Sequence, residues 1–131
     1  MDNTRTDKTF NFNPPIDNQY LIELYAGDYS MIGETLSEVL LVYDDFVENV
    51  CSGFERGDLL SLKGAVHKLK PLFGFVGLPC LEAQCRTFES NCMLADSKTL
   101  AIEFNQLKDS ILSIKSFLET EKARLEAFNK R

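Results

Sequence analysis

The chain of 131 residues contains a single histidine, His67, and two lysines lie beside it at helical spacing. Lys63 lies four residues before His67 and Lys70 three residues after it, so on a helix both cations flank the imidazole. A solvent-exposed imidazole is largely neutral near pH 7 and carries a free lone pair. Transfer of a phosphoryl group depends on alignment and on positive charge around its oxygens. The spacing therefore marks His67 as a candidate phosphoryl acceptor, provided that it faces water.

The helix predicted around His67 has an apolar stripe, and the histidine lies away from it. With about 100° of rotation per residue, His67 falls about 120° from the centre of the stripe, at the edge of the exposed face. Gly64 and Gly74 fall on the same side as His67. A glycine inside a helix costs about 1 kcal/mol relative to alanine, and this cost is explained if another protein must approach His67 closely. The stripe consists of Leu59, Leu62, Val66, Leu69 and Phe73.

Apolar residues recur at intervals of three and four along the rest of the chain, and no segment shows the alternation of a half-buried strand. The connections are short, which favours antiparallel packing of neighbouring helices. We therefore predict an all-α fold, an antiparallel up-down four-helix bundle with a short N-terminal helix. The predicted helices start at Asp17, Asp28, Asp58, Pro79 and either Asp96 or Ser97, after stops that include Gly27, Gly57 and Gly77.

The two ends of the chain are predicted to lie outside this packing. Residues 1–13 are expected to form a flexible tail, and residues 14–131 a single domain. The apolar seam of the last helix reaches Leu118 and then meets Glu121, after which it becomes mostly polar. The last helix is therefore expected to run past the bundle.

Composition excludes several classes of function. The chain has 44% hydrophobic and 26% charged residues, as soluble globular domains do, and a formal net charge of −6. That charge argues against general affinity for nucleic acid or for an anionic membrane surface. No apolar stretch approaches the length of about 20 residues that spans a bilayer, and the N-terminus lacks a hydrophobic signal region. A cytoplasmic location is the expectation.

The four cysteines do not predict a metal centre. Cys80, Cys85 and Cys92 lie on one predicted helix, where Cys85 and Cys92 share the apolar face. The chain has no paired Cys-x-x-Cys spacing, and one histidine is too few for most zinc patterns. We expect no metal ligands, and we interpret the cysteines as buried thiols that act as small apolar side chains.

The run His67-Lys68-Leu69-Lys70, with Gly74, Gly77 and Leu78 at their offsets, resembles the signature of histidine-containing phosphotransfer (HPt) domains. The pairs Gly27-Asp28 and Gly57-Asp58 also look like that family, so the resemblance covers about residues 16–120. It implies a four-helix bundle with an exposed phosphoacceptor midway along one helix.

The resemblance also implies roles for the residues. His67 would accept a phosphoryl group from an aspartate of one receiver domain and pass it to another, and Lys70 would help to hold that group. The chain would be a carrier without kinase activity or a cofactor of its own, and Mg²⁺ would belong to the receiver domains of hybrid kinases and response regulators. We expect a monomer, because a carrier must expose its site to successive partners, and the long last helix leaves dimerisation open. The surface predicted to meet these partners consists of Leu60, Lys63, Gly64, Lys68, Pro71 and Gly74.

The chain departs from the family pattern directly after Lys70. The family usually has glycine where this chain has Pro71, and a proline there removes a hydrogen bond to the carbonyl of His67, so a local kink is expected. Phe73 and Phe75 replace smaller residues. One of these rings is expected to fill the core, and Phe75 is expected to be exposed beside the site. Two glutamates of the following helix, Glu82 and Glu89, project to one flank and could orient the imidazole. They are interpreted instead as part of a solvated polar face and are left out of the site.

Two other functions compete with the carrier hypothesis. The phosphoacceptor domain of a sensor kinase typically has an acidic residue after its histidine, where this chain has Lys68, and the chain has no room for an ATP-binding domain. A helical adaptor with an incidental surface histidine is the alternative from a different class, because helical bundles host many functions. A hydrolytic enzyme is poorly supported, since neither a metal cluster nor a nucleophile–base pair is evident.

Overall fold

A computed structural model describes residues 9–130, and helices make up most of this range. No strand occurs between these limits, so the all-helical prediction is confirmed. Five helices pack together. They are α1 (Asn18–Leu24), α2 (Tyr29–Glu55), α3 (Leu59–Phe75), α4 (Pro79–Asn91) and α5 (Ser97–Asn129).

Four of the five helices begin with an aspartate cap, as the sequence predicted. The side chain of each cap accepts a hydrogen bond from the backbone N–H three residues later, which satisfies one of the free donors of the first turn. Helix α4 begins instead with Pro79 at its first position, after Leu78. The capping aspartates are Asp17, Asp28, Asp58 and Asp96.

The turn between α3 and α4 requires a glycine. Gly77 has a φ of +80°, in the left-handed region that favours glycine. A Cβ at this position would lie 3.0 Å from the Cβ of Leu21 and 3.1 Å from Ile16. The backbone of Gly77 also accepts a hydrogen bond from the N–H of Asp17 at 2.8 Å. The short helix α1 therefore fixes the turn from which α4 returns along α3.

The long helices share one apolar core. Helix α2 packs on α3 and α5, and α4 packs on the same two helices. The backbone of α2 approaches α3 closely at Gly53, where a Cβ would lie 3.0 Å from the Cα of Leu62. Between α2 and α5, Phe54 and Phe104 stack with ring centroids 4.0 Å apart. The Tyr43 hydroxyl donates to the carbonyl of Ile111, and burial raises the pKa of this tyrosine.

The prediction of a flexible tail through residue 13 is wrong for residues 10–13, which we call the N-terminal strap. Phe10 and Phe12 are buried. The Phe10 ring makes edge contacts with Tyr29 of α2 and Phe128 of α5, at centroid distances of 6.4 and 5.5 Å. The apolar area that these rings remove from water holds the strap against the helices. Residues 1–8 of the predicted tail lie outside the described residues.

The sequence indicated that the last helix leaves the packed structure near Glu121, and this prediction is wrong. Contacts with the strap explain why. Glu121 is fully buried, and its carboxylate accepts hydrogen bonds from Asn13 N at 2.8 Å and Asn13 Nδ2 at 3.1 Å. Arg124 donates to the same carboxylate at 2.8 Å, and Leu125 is buried one turn beyond Glu121. A buried carboxylate is retained where donors satisfy it in this way.

Glu121→Ala should destabilise the fold by about 1–3 kcal/mol, because the Asn13 donors and the Arg124 guanidinium lose their acceptor. Urea denaturation of the variant and the wild type measures this free energy. Glu119→Ala is the control, since Glu119 is exposed on the same helix and its removal should change stability by less than about 0.5 kcal/mol. Equal stability of Glu121→Ala and wild type would contradict the role given to the strap contacts.

Candidate functional site

His67 lies midway along α3 on its exposed face. Its side chain is 65% exposed, whereas Leu62, Val66 and Leu69 of the same helix are fully buried. The prediction that His67 faces water is therefore confirmed. The histidine lies at the rim of the face that looks towards α4, close enough for a side chain of that helix to reach its ring.

That side chain is Glu89, which the sequence analysis had left out of the site. Its Oε2 lies 2.7 Å from Nδ1 of His67. Only 16% of the Glu89 side chain is exposed, so the interpretation of Glu89 as part of a solvated face is wrong. The cause is the register of α3 against α4, which points Glu89 towards α3.

The register itself could have been read from the sequence. If the chain reverses about Leu78, residues at equal distances before and after it face each other. Gly74 and Glu82 are each four residues from Leu78, and His67 and Glu89 are each eleven residues from it. The structure contains both contacts, because a Cβ on Gly74 would lie 3.2 Å from Glu82 Oε1. The reversal signalled by Gly77 and Pro79, once applied to the two helices as a pair, would have pointed to Glu89 as the partner of His67.

Lys70 completes a cluster of three charged or polar groups. Its Nζ lies 2.8 Å from Oε1 of Glu89, and its side chain is 18% exposed. The two oxygens of Glu89 are therefore divided between Lys70 and His67. Partial burial by itself raises the pKa of Glu89, but the hydrogen bonds from Lys70 and His67 and their positive charge outweigh it, so the pKa lies below its ordinary value of 4.5.

The ionised state of Glu89 determines which nitrogen of His67 can react. An ionised carboxylate only accepts hydrogen bonds, so Nδ1 must donate the bond to Glu89. The neutral imidazole then keeps its single ring hydrogen on Nδ1, and Nε2 carries the lone pair. Because Nδ1 points at α4, Nε2 points away from α4 and towards solvent. The cluster thus presents one nucleophilic nitrogen in a fixed orientation.

The structure separates the predicted partner surface into exposed and buried residues. Leu60 is 72% exposed, and Lys63, Lys68 and Pro71 are exposed as well. A Cβ at Gly64 would meet no atom within 4 Å, so the surface beside His67 is open there.

Gly74 is the member of the predicted partner surface that the structure contradicts. It is buried, because the side chain of Glu82 packs against it from α4. Gly74 therefore serves the packing of α3 on α4. Glu82 itself is partly buried, with 26% of its side chain exposed and Arg86 as its ion-pair partner.

Helix α3 continues through Pro71 as far as Phe75, and the expected local kink stays a prediction. The two phenylalanines behave as predicted. Phe73 is fully buried, and Phe75 is 49% exposed two turns beyond His67. The Tyr25 hydroxyl of the α1 end donates to the carbonyl of Phe75 at 2.7 Å.

The prediction that the cysteines are buried holds for two of the four. Cys51, Cys80, Cys85 and Cys92 are all free thiols, and Cys80 is exposed while Cys51 is partly buried. Cys85 and Cys92 are buried, as predicted, and burial raises the pKa of Cys85 to about 12. Such a thiol stays protonated and unreactive at neutral pH. Among residues 9–130, no group of three or more histidine, cysteine, aspartate or glutamate side chains is placed to hold a metal ion.

Comparison of the chain with protein-family models, with curated proteins and with solved structures finds no match in any of the three. Within the described range, no helix combines the length and the apolar character needed to cross a membrane. Function must therefore be inferred from the site itself.

The hydrogen bond between His67 and Glu89 predicts the tautomer of the neutral ring. In wild-type protein at a pH where His67 is neutral, ¹⁵N NMR should show a protonated Nδ1 and an unprotonated Nε2. Glu89→Ala removes the acceptor, so the two tautomers should then mix. A neutral wild-type ring with its hydrogen on Nε2 would contradict the geometry of the cluster.

The lowered pKa of Glu89 predicts how its contribution to stability depends on pH. The ionised carboxylate stabilises the fold above its ordinary value of 4.5, and this contribution is lost as the pH falls through the lower pKa of the folded state. The free energy of unfolding of wild type minus that of Glu89→Gln should therefore be larger at about pH 5 than at about pH 2.5. Urea denaturation between these two pH values measures this difference. A difference that stays constant or grows between about pH 5 and about pH 2.5 would contradict the assignment.

Proposed function

We propose that this protein is a phosphohistidine carrier of a phosphorelay, which accepts a phosphoryl group on Nε2 of His67 from an aspartyl phosphate and returns it to another aspartate. The observation that carries the proposal is the hydrogen bond from Nδ1 of His67 to Glu89, which leaves Nε2 unprotonated and exposed. The resemblance of the His67–Leu78 run to HPt domains supports the same function.

The reaction needs no further group on this chain to take up a proton. The lone pair of Nε2 attacks phosphorus, an N–P bond forms, and the bond from phosphorus to the aspartate oxygen breaks with its electron pair on that oxygen. The donor aspartate leaves as a carboxylate, and His67 becomes a phosphorylated imidazolium with its hydrogen still on Nδ1. The return step runs the same sequence in reverse towards the carboxylate of the next receiver domain.

Glu89 stabilises the charge that this step creates. The positive charge on the ring appears next to an ionised carboxylate 2.7 Å from Nδ1. A hydrogen bond between charged groups is stronger than one between neutral groups, so the contact strengthens as the N–P bond forms. Interactions that are stronger in the transition state than in the ground state raise the rate. Lys70 keeps Glu89 ionised and holds it in position through the second oxygen.

The proposed architecture is an antiparallel up-down bundle of α2 to α5, with α1 across one end. The packing of α3 on both α2 and α4 supports it, because a central site on one helix then has a supporting helix on each side. Such a bundle presents His67 on a convex surface that an aspartate in a receiver-domain pocket can reach. In this proposal Mg²⁺ belongs to the receiver domain, and the carrier acts as a cytoplasmic monomer.

The proposal is tested by incubating the protein with a receiver domain that carries a ³²P-labelled aspartyl phosphate. Label should move to the wild-type chain in an acid-labile, alkali-stable form and should not move to His67→Gln. Glu89→Gln should accept label about 10–100-fold more slowly, because a hydrogen bond to a charged group is worth about 1.5–3 kcal/mol.

Glu82→Gln is the matched control for Glu89→Gln, because both glutamates project from α4 towards α3 and only Glu89 contacts the histidine. It should accept label at the wild-type rate. Absence of label from the wild type with several different receiver domains would overturn the carrier function in favour of an adaptor. Equal labelling of wild type and His67→Gln would overturn the assignment of His67.

A further inference from the structure

The surroundings of His67 differ between its two sides. Viewed along α3 at about 100° per residue, Lys70 lies about 60° from His67 on the side of α4, where both residues contact Glu89. Gly64 lies about 60° to the other side and Lys68 about 100°. These two residues line the groove between α2 and α3. One side of the histidine thus holds Glu89, and the other side is open.

The free nitrogen of His67 points away from Glu89. The two nitrogens of an imidazole point in nearly opposite directions, and Nδ1 is directed at Glu89 on α4. A phosphoryl group bonded to Nε2 is therefore carried away from Glu89 and Lys70. Lys70 also has its ammonium group 2.8 Å from Glu89, with 18% of its side chain exposed, so it is engaged on the side opposite to the phosphoryl group.

The open side has a space of its own above Gly64. Helical side chains lean towards the N-terminal end of their helix, so the side chains of His67 and Lys68 both lean over the turn that contains Gly64. Gly64 has no side chain, and a Cβ placed there would meet no atom within 4 Å. A group on Nε2 of His67 and the ammonium of Lys68 can therefore meet above this turn.

The groove that continues from this space is suited to an anion. Its volume is about 350 Å³, and its lining contains two cations and no carboxylate among the described residues. This is notable in a chain whose formal net charge is −6. The lining residues besides Gly64 and Lys68 are Asn49, Ser52, Arg56, Ser61 and Ala65. Arg56 lies at the end of the groove, where it donates a 2.8 Å hydrogen bond to Ser52 and forms a 3.9 Å ion pair with Asp58, so Lys68 is the cation of the groove closest to His67 in sequence.

We propose that the phosphoryl group on His67 lies above Gly64 and that Lys68 neutralises its charge, while Lys70 is a positioning residue that acts through Glu89. This inference rests on the proposed phosphoryl-carrier function, and it reverses the role that the family resemblance gives to Lys70. In this inference the anion that the groove accommodates is the phosphoryl group itself, which lies on the α2 side of His67.

Two lysine variants separate the roles. In the labelled-receiver assay, Lys68→Gln should accept the phosphoryl group about tenfold more slowly, and this loss should diminish at high salt because the charge it removes is exposed. The Nδ1-protonated tautomer of His67 should be unchanged in this variant by ¹⁵N NMR. Lys70→Gln should slow transfer and also disturb the tautomer, because Glu89 loses the donor that positions it. Lys98→Gln is the control for loss of one exposed positive charge far from the site, and it should match wild type.

A third variant tests the space above Gly64 without weakening the fold. Gly64→Gln places a good helix former where no atom is in the way, so the variant should be as stable as wild type or more stable. Its side chain fills the space, and transfer should fall at least tenfold while the tautomer of His67 stays as in wild type. A parallel titration with inorganic phosphate should shift the amide signals of Gly64 and Lys68 in wild type and leave them unshifted in Lys68→Gln.

The outcomes distinguish this inference from the carrier function. If wild type accepts label and both Lys68→Gln and Gly64→Gln accept it at the wild-type rate, the α2-side placement is overturned and the carrier function stands. If Lys70→Gln slows transfer with the tautomer intact, Lys70 contacts the phosphoryl group directly and the positioning role is overturned. If wild type accepts no label, the carrier function is overturned, and the placement of the phosphoryl group is overturned with it.

Discussion

The carboxylate of Glu89 is the group on which the geometry of the His67 cluster depends. One oxygen accepts from Nδ1 of His67 and the other from Nζ of Lys70, at 2.7 and 2.8 Å. Without it the imidazole is a surface ring that samples both tautomers and several orientations. With it, the ring has one free nitrogen, one direction, and a counter-charge for the imidazolium that phosphorylation would create. A partly buried carboxylate is stable in this position because two cationic or polar donors share it.

The position of Glu89 is in turn a consequence of the turn between α3 and α4. Gly77 allows the left-handed backbone, Pro79 starts the next helix at once, and the residues on either side of Leu78 then meet in fixed pairs. Gly74 accepts the side chain of Glu82, which lets α4 lie close to α3. Leu21 of the short helix α1 and Ile16 just before that helix lie against the same turn. The turn at Gly77 thus determines how the three side chains of the site, which lie on two helices, meet. This turn lies about 15 Å from His67 along α3, at about 1.5 Å per residue.

Much of the fold could be predicted from local signals, because aspartate caps, left-handed glycines and apolar periodicity act within one or two turns of helix. The four aspartate caps and the buried stripe around Leu62, Val66 and Leu69 are examples. Contacts between distant segments could not be predicted in the same way. The burial of Phe10 depends on Tyr29 and Phe128, which are far away in the sequence, and the burial of Glu121 depends on Asn13. Taken alone, the segment around Phe10 resembles a polar tail, and the segment around Glu121 resembles a solvated helix end.

The site, too, could be predicted from local signals only in part. The exposure of His67 followed from the helical arrangement of its own stripe, whereas Glu89 required the pairing of two helices, and Gly74 changed from a surface residue to a packing residue for the same reason. The central claim is that Nε2 of His67 accepts the phosphoryl group. It is tested most directly by NMR on ¹⁵N-histidine-labelled protein that has been incubated with a phosphorylated receiver domain. The account predicts a ³¹P signal coupled to Nε2 of His67 while Nδ1 keeps its hydrogen. A phosphoryl group on Nδ1, or no phosphohistidine signal, would contradict it.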